Sequence, residues 1–222
     1  MSTKFQKILL AGSLLALAGS VLRLWVSGKL LYYIHPSTSW WVGSGAIVIL
    51  IITLLWVRNR PDHLHIPQKQ LVGLAIISAI ITFSPNVPLS AAFATKREGG
   101  LGAPVSSRSG IKAGAATQEF TILDWLAAWE SDPTYQRYVG SKAQVVGFIT
   151  NDDGKFYINR YMVTCCAVDA QLLRIRLSET EKLPQDAEWV KLTGVMQRDG
   201  ELPVISIQEV ETVAIPTKPY LY

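Results

Sequence analysis

The chain changes its hydrophobic rhythm once. Up to about residue 90 the apolar residues come in long stretches with little charge. From residue 119 they come in short runs that alternate with polar residues. The long stretches predict membrane-spanning helices, because about 20 apolar residues in a helix cover the hydrocarbon core of a bilayer. The first covers about 8–26, with Lys4 and Lys7 ahead of it and Arg23 beside Trp25 near its end. It reads either as a signal peptide cleaved near Ala16-Leu17-Ala18 or as a retained span whose Arg23 snorkels to the interface. Apolar character continues past Ala18, which favours retention. The second, 40–57, opens on Trp40-Trp41 and closes on Trp56, placing an aromatic residue at each lipid–water boundary. The third, 70–88, has an Ile- and Ala-rich core from Leu71 to Phe83 and runs on without charge through Pro85 and Pro88. It reads as a third span; the competing reading is a re-entrant or interfacial helix ended by Pro85.

Residues 91–118 are dominated by Ser, Ala, Gly, Pro and Thr, without apolar periodicity, and read as a flexible linker. Order resumes at Thr121-Ile122-Leu123-Asp124, a capping box opening a helix to about Glu130. Asp132-Pro133 reads as the start of a second short helix, anchored by Tyr135 and Tyr138 and ended by Gly140. Five strand-like runs follow. They are Gln144–Ile149, Phe156 leading into Tyr161–Val168, Gln171–Leu177, Trp189–Met196 and Pro203–Val213. Asn151-Asp152-Asp153-Gly154 and Asp199-Gly200 supply the turns. Leu173, Ile175 and Leu177 alternate with Arg174 and Arg176, as a strand with one buried face requires. The expected fold is therefore membrane-anchored α plus all-β. Two to three N-terminal transmembrane helices (1–90) precede a linker and a small OB-like β-barrel with short leading helices (119–222).

Charge divides the chain at the same place. Residues 1–118 hold 11 Lys and Arg against Asp62 and Glu98, a net +9, and residues 119–222 hold 10 against 15 acids, a net −5. The overall +4 describes neither half. Counted loop by loop, the N-terminal tail (Lys4, Lys7) and the second loop (Arg58, Arg60, Lys69) outweigh the first loop (Lys29, with Arg23 at its edge). The positive-inside rule then makes the tail and second loop cytoplasmic, and three spans leave the C-terminal domain outside the cytoplasm. An acidic domain in that position argues against the nucleic-acid binding that many OB folds perform, despite Phe148, Phe156, Tyr157 and Tyr161 as stacking candidates.

The chemistry concentrates in Cys165-Cys166, the only two cysteines. They form no CxxC or zinc-type spacing. On a regular strand adjacent side chains point to opposite faces, so one sulfur is expected in the core and one outside. Both then read as small apolar fillers, unless a bulge reunites them. With a bulge, Cys165, Cys166 and Asp169 become candidate ligands for a soft or transition metal ion. In an oxidising compartment they become candidates for a vicinal disulfide. His63 and His65 in the second loop read as solvated residues rather than ligands, and Asp152-Asp153 as turn residues rather than a calcium loop. No Ser/His/Asp set, phosphate-binding Gly loop or acid/base carboxylate pair stands out, so no catalytic residue is assigned and a non-enzymatic role is expected.

Several of these residues carry a resemblance. Gly147-Phe148-Ile149-Thr150, Arg160-Tyr161, Thr164-Cys165-Cys166-Ala167-Val168-Asp169-Ala170, Trp189-Val190 to Gly194, Pro216 and Pro219-Tyr220-Leu221-Tyr222 resemble the YcgQ-like family of membrane permease subunits. Gly28-Lys29 and Tyr33-Ile34-His35-Pro36 are similar as well. The resemblance implies a multi-pass protein of the bacterial plasma membrane with an extracytoplasmic β-domain. It further implies a multi-span permease partner and a link to metal-ion homeostasis, and it assigns no catalytic or ligand residues. The expected function is that of an accessory subunit in a membrane transport complex. The alternatives are an envelope thiol-redox protein using Cys165 and Cys166, or a ligand-free membrane scaffold.

Overall fold

In the computed structural model, residues 3–59, 67–89, 117–132, 136–178, 183–184, 188–200 and 202–222 are described. Nearly all of the expected linker, both loop histidines and residues 133–135 of the expected second short helix lie outside them. The chain forms two compact units, Met1–Val87 and Pro88–Tyr222.

The first unit holds three helices: α1 (Thr3–Val26), α2 (Pro36–Asn59) and α3 (Gln68–Phe83). α1 and α2 are long and apolar enough to cross a membrane; α3 is a shorter apolar helix. Pro36 starts α2 at a position where its missing N–H costs nothing, and the His35 ring nitrogen Nδ1 accepts the Ser37 N–H at 3.1 Å as a cap. Gly43 allows the ring of Trp25 to lie against α2, and Trp25 meets Trp40 edge-on at 5.2 Å. On its other side α1 contacts α3 through hydroxyls: Ser78 Oγ donates to the Ser13 carbonyl at 3.0 Å, and Ser20 Oγ lies 2.9 Å from Thr82 Oγ1. Such small polar contacts are characteristic of helices that associate where water offers no competition.

These contacts fix direction. Ser13 pairs with Ser78 and Ser20 with Thr82, so α1 and α3 run parallel, whereas α2 folds back. The expected helix through residue 88 is corrected here: α3 stops at Phe83, and Ser84 is extended (φ −63°, ψ 138°). Pro85 supplies no N–H and disfavours helical geometry in the residue before it. Beyond Pro85, Asn86 Oδ1 accepts from Tyr33 Oη at 3.3 Å. Tyr33 belongs to the α1–α2 connection, so the extended end that follows α3 lies against that connection.

The second unit opens with α4 (Ile122–Ser131). Its capping box forms as expected, with Asp124 N–H donating to Thr121 Oγ1 and Thr121 N–H to Asp124 Oδ2. Five strands follow: β1 (Lys142–Asp152), β2 (Lys155–Met162), β3 (Gln171–Leu177), β4 (Trp189–Asp199) and β5 (Leu202–Thr212). Each has two neighbours in the order β1-β2-β3-β5-β4, with β4 returning to β1, so the sheet closes on itself. All pairings are antiparallel except β3–β5, which is parallel and limited to Arg176↔Val204 and Leu177↔Ile205. The β1–β2 turn consists of Asp153 and Gly154, both at positive φ (49° and 80°), which matches the right-handed twist of a two-residue hairpin.

Two apolar clusters result. The inner one joins Trp125, Leu126 and Ala128 of α4 to Val145, Ile158, Ile175, Leu192, Met196 and Ile205 of the strands. The other joins Phe148, Tyr161, Val163, Ala170, Trp189 and Tyr220. A Cβ at Gly147 would overlap the Asn159 carbonyl oxygen and the Ile158 side chain.

Candidate functional site

The cysteine pair lies in a loop. β2 ends at Met162, Thr164 and Cys165 form a bend, and Ala167–Asp169 make one 3-10 turn. This corrects the expected strand through Val168 and with it the expectation of sulfurs on opposite faces. The cause is Asp169. Its Oδ1 accepts the Thr164 N–H at 3.1 Å and its Oδ2 the Cys165 N–H at 2.7 Å, so two amides that a strand would present to a neighbour turn inward to one carboxylate. Cys165 is exposed and Cys166 half-buried, and their Sγ atoms lie 3.5 Å apart. The sequence-derived trio Cys165, Cys166 and Asp169 is thus brought together, by a loop rather than by a bulge.

The loop is braced by the end of the chain. Leu221 forms a parallel bridge with Met162, its N–H donating to the Tyr161 carbonyl and its carbonyl accepting from Val163 N–H, both at 2.9 Å. Arg160 holds the residues before it. Nη2 donates to the Lys218 carbonyl at 2.7 Å and Nε to the Pro219 carbonyl at 3.1 Å, while Nη1 donates to the Val146 carbonyl at 3.3 Å. The β1–β2 ladder ends at Phe148↔Asn159, so Val146 has no β2 partner and the guanidinium fills that gap. The guanidinium also lies 5.8 Å from the Trp189 ring centroid. Tyr220 packs edge-on against Tyr161 at 6.4 Å, and its hydroxyl accepts the Leu89 N–H at 2.8 Å.

Electrostatics follow from these contacts. The hydrogen bond to Asp169, then that to Cys166, push the Cys165 thiol up to about 11, so it is held protonated at neutral pH. Slight burial works to raise Asp169. The bonds it accepts from the Cys165 thiol and from the N–H groups of Cys165, Thr164 and Cys166 outweigh this and hold it below its ordinary value. Burial lowers Arg160, opposed by Tyr222, and burial followed by Tyr220 pushes the Tyr222 phenol up to about 12.

A protonated thiol is a poor metal ligand, and both Asp169 oxygens already accept backbone N–H groups. Among the described residues no group of three or more His, Cys, Asp or Glu side chains is disposed to hold a metal ion. Adjacent thiols, one exposed and one half-buried, can instead undergo thiol–disulfide chemistry. Asp152 is engaged in an ion pair with Arg174 at 3.3 Å beside the hairpin turn.

Sequence reasoning did not give Arg160 or Asn159 a role. Arg160 shares strand parity with Ile158 and Met162, both buried, and a charge at such a position is a signal that it serves some structural purpose. Asn159 is fully buried; its Nδ2 donates to the Phe148 and Tyr157 carbonyls and to Thr150 Oγ1, tying β1 to β2.

The chain joins helices of membrane-spanning length, in sequence, to a closed five-stranded domain that carries two adjacent cysteines, one exposed and one half-buried. Within it, residues 119–222 match the family model described as the DUF1980 C-terminal domain, a family of uncharacterised proteins. No curated protein and no solved structure matches the chain.

Proposed function

We propose that the protein is a non-enzymatic, membrane-anchored accessory subunit of a transport complex. In this reading the helical unit sits in the bacterial plasma membrane against a multi-span permease. The C-terminal domain, an OB-type barrel, stands outside the cytoplasm. The observation that carries it is the outward surface of α2, where Ile47, Val48, Ile51, Ile52, Leu54 and Leu55 are all exposed along one helix. Such a surface is stable only against lipid or other apolar helices. Topology supports the same reading. The third segment ends against the α1–α2 connection, at the opposite end from Lys7, Arg58 and Lys69. The test is purification of the intact protein from membranes in mild detergent. A multi-span transport protein at fixed stoichiometry supports the proposal; a chain that purifies alone and whose deletion leaves transport unchanged overturns it.

The 3.5 Å separation of Cys165 Sγ and Cys166 Sγ favours a second reading, in which the pair acts as an envelope dithiol. Labelling with and without reductant tests it, and a pair that never changes its labelling contradicts it. The metal role of Cys165, Cys166 and Asp169 is the weaker assignment, since it requires Asp169 to release two amides and Cys165 its proton.

A further inference from the structure

We infer that closure of Cys165 and Cys166 into a vicinal disulfide, by exchange with an external disulfide carrier, loosens the docked C-terminal tail. The inference rests on the dithiol reading. Its new content is the coupling to the tail and the class of co-substrate, a small or protein-borne disulfide. The reaction is exchange in two steps. The thiolate of one cysteine attacks the carrier disulfide, forming a mixed disulfide and expelling one carrier thiolate. The thiolate of the neighbouring cysteine attacks the protein-side sulfur, closing the internal S–S bond and expelling the second carrier thiolate. The pair loses two electrons, the carrier gains them, and the two thiol protons end on the carrier's two thiols. Cys165, the exposed member, meets the carrier first, reacting through the small thiolate fraction that its bond to Asp169 leaves, and Cys166 lies within 3.5 Å to resolve the intermediate.

Coupling follows from how the backbone amides are shared out. From Val163 to Cys165 three consecutive N–H groups are committed: Val163 to the Leu221 carbonyl, Thr164 and Cys165 to Asp169. A disulfide requires the sulfurs at about 2.0 Å, so they must approach by about 1.5 Å. Cys166 is extended (φ −159°, ψ 169°), which tends to send neighbouring side chains apart. Closing the ring therefore turns the peptide between the two cysteines. That peptide carries the Cys166 N–H, so its rotation draws this amide off Asp169 and shifts the carboxylate, loosening the Cys165 and Thr164 amides it also holds and, through them, the Val163 amide that holds the tail.

The test uses the full chain in lipid nanodiscs with oxidised glutathione. The expected product is an intact mass lower by two hydrogens, with no glutathione retained. C166S should instead trap a stable glutathione adduct on Cys165. Hydrogen exchange at Val163 and Leu221 should accelerate about tenfold on oxidation of the wild type, as for an opening made about 1.4 kcal/mol easier. It should not change in C165S/C166S. If no internal disulfide forms, the dithiol reading fails and the coupling with it. If the disulfide forms and both amides exchange as before, the coupling alone is overturned.

Discussion

Arg160 is the residue on which the tail depends, and replacing it by Ala gives a measurable forecast. Three hydrogen bonds from its guanidinium disappear, to the Lys218, Pro219 and Val146 carbonyls, together with the contact to Trp189. A hydrogen bond from a charged donor contributes about 1.5–3 kcal/mol, but three such terms cannot be added at face value. The Lys218 carbonyl is reached at an exposed site where water replaces the donor. Burial also disfavours the charged guanidinium, which offsets part of the gain. The bond to Val146 ties β2 to β1 and not to the tail, so the partly buried bond to Pro219 and the remainder of that to Lys218 give a net cost of about 2–3 kcal/mol for tail docking. At 1.4 kcal/mol per factor of ten, exchange of the Leu221 and Val163 amides should accelerate about 30- to 150-fold. Arg160→Lys should recover less than half of this, because an ammonium lacks the planar fork that addresses several carbonyls at once. The assay is hydrogen exchange with mass spectrometry on the full chain in nanodiscs. Unchanged exchange at both amides in the Ala variant would refute the bracing role.

Two further outcomes are expected. Gly147→Ala introduces a Cβ against the Asn159 carbonyl, and because the obstacle is backbone the β1–β2 pair must open, costing about 1–3 kcal/mol; a thermal melt unchanged from the wild type would contradict the close approach. The alkylation rate of Cys165, followed by peptide mass, should climb about tenfold per pH unit from neutral pH and level off near pH 11, since only the thiolate reacts and Asp169 holds the thiol protonated below that value. Asp169→Asn should bring the plateau to lower pH, and a profile identical to the wild type would remove Asp169 as the cause.

Much of the domain could be read from alternation alone. Leu173, Ile175 and Leu177 face the interior and Gln171–Leu177 is β3. The Thr121 capping box forms on the residues that predict it. What alternation could not show was the end of β2. Val163 to Val168 is apolar enough to continue a strand, and a lone Asp169 gives no indication that it will gather the Thr164 and Cys165 amides. The third apolar segment forms a shorter helix than its lack of charge suggests, for a related reason: absence of charge marks what a bilayer tolerates, whereas Pro85 decides where the helix stops. The partnership of the Cys-Cys loop with the Pro-Tyr-Leu-Tyr tail was invisible, because the Met162↔Leu221 bridge joins residues far apart in sequence. Arg160 offered the one available clue, a charge set between buried residues of a strand.

Under the proposed function the Cys165–Cys166 loop, with Cys165 exposed, stands on a membrane-anchored domain outside the cytoplasm. Cys165 and Cys166 are the only cysteines in the chain, so the native protein carries its own reporter. Intact cells expressing it can be treated with a membrane-impermeant maleimide, and the protein then purified and mapped. The account predicts modification at Cys165 without permeabilisation, at a level that permeabilisation does not raise. Modification only after the membrane is opened would place the domain in the cytoplasm and contradict the account.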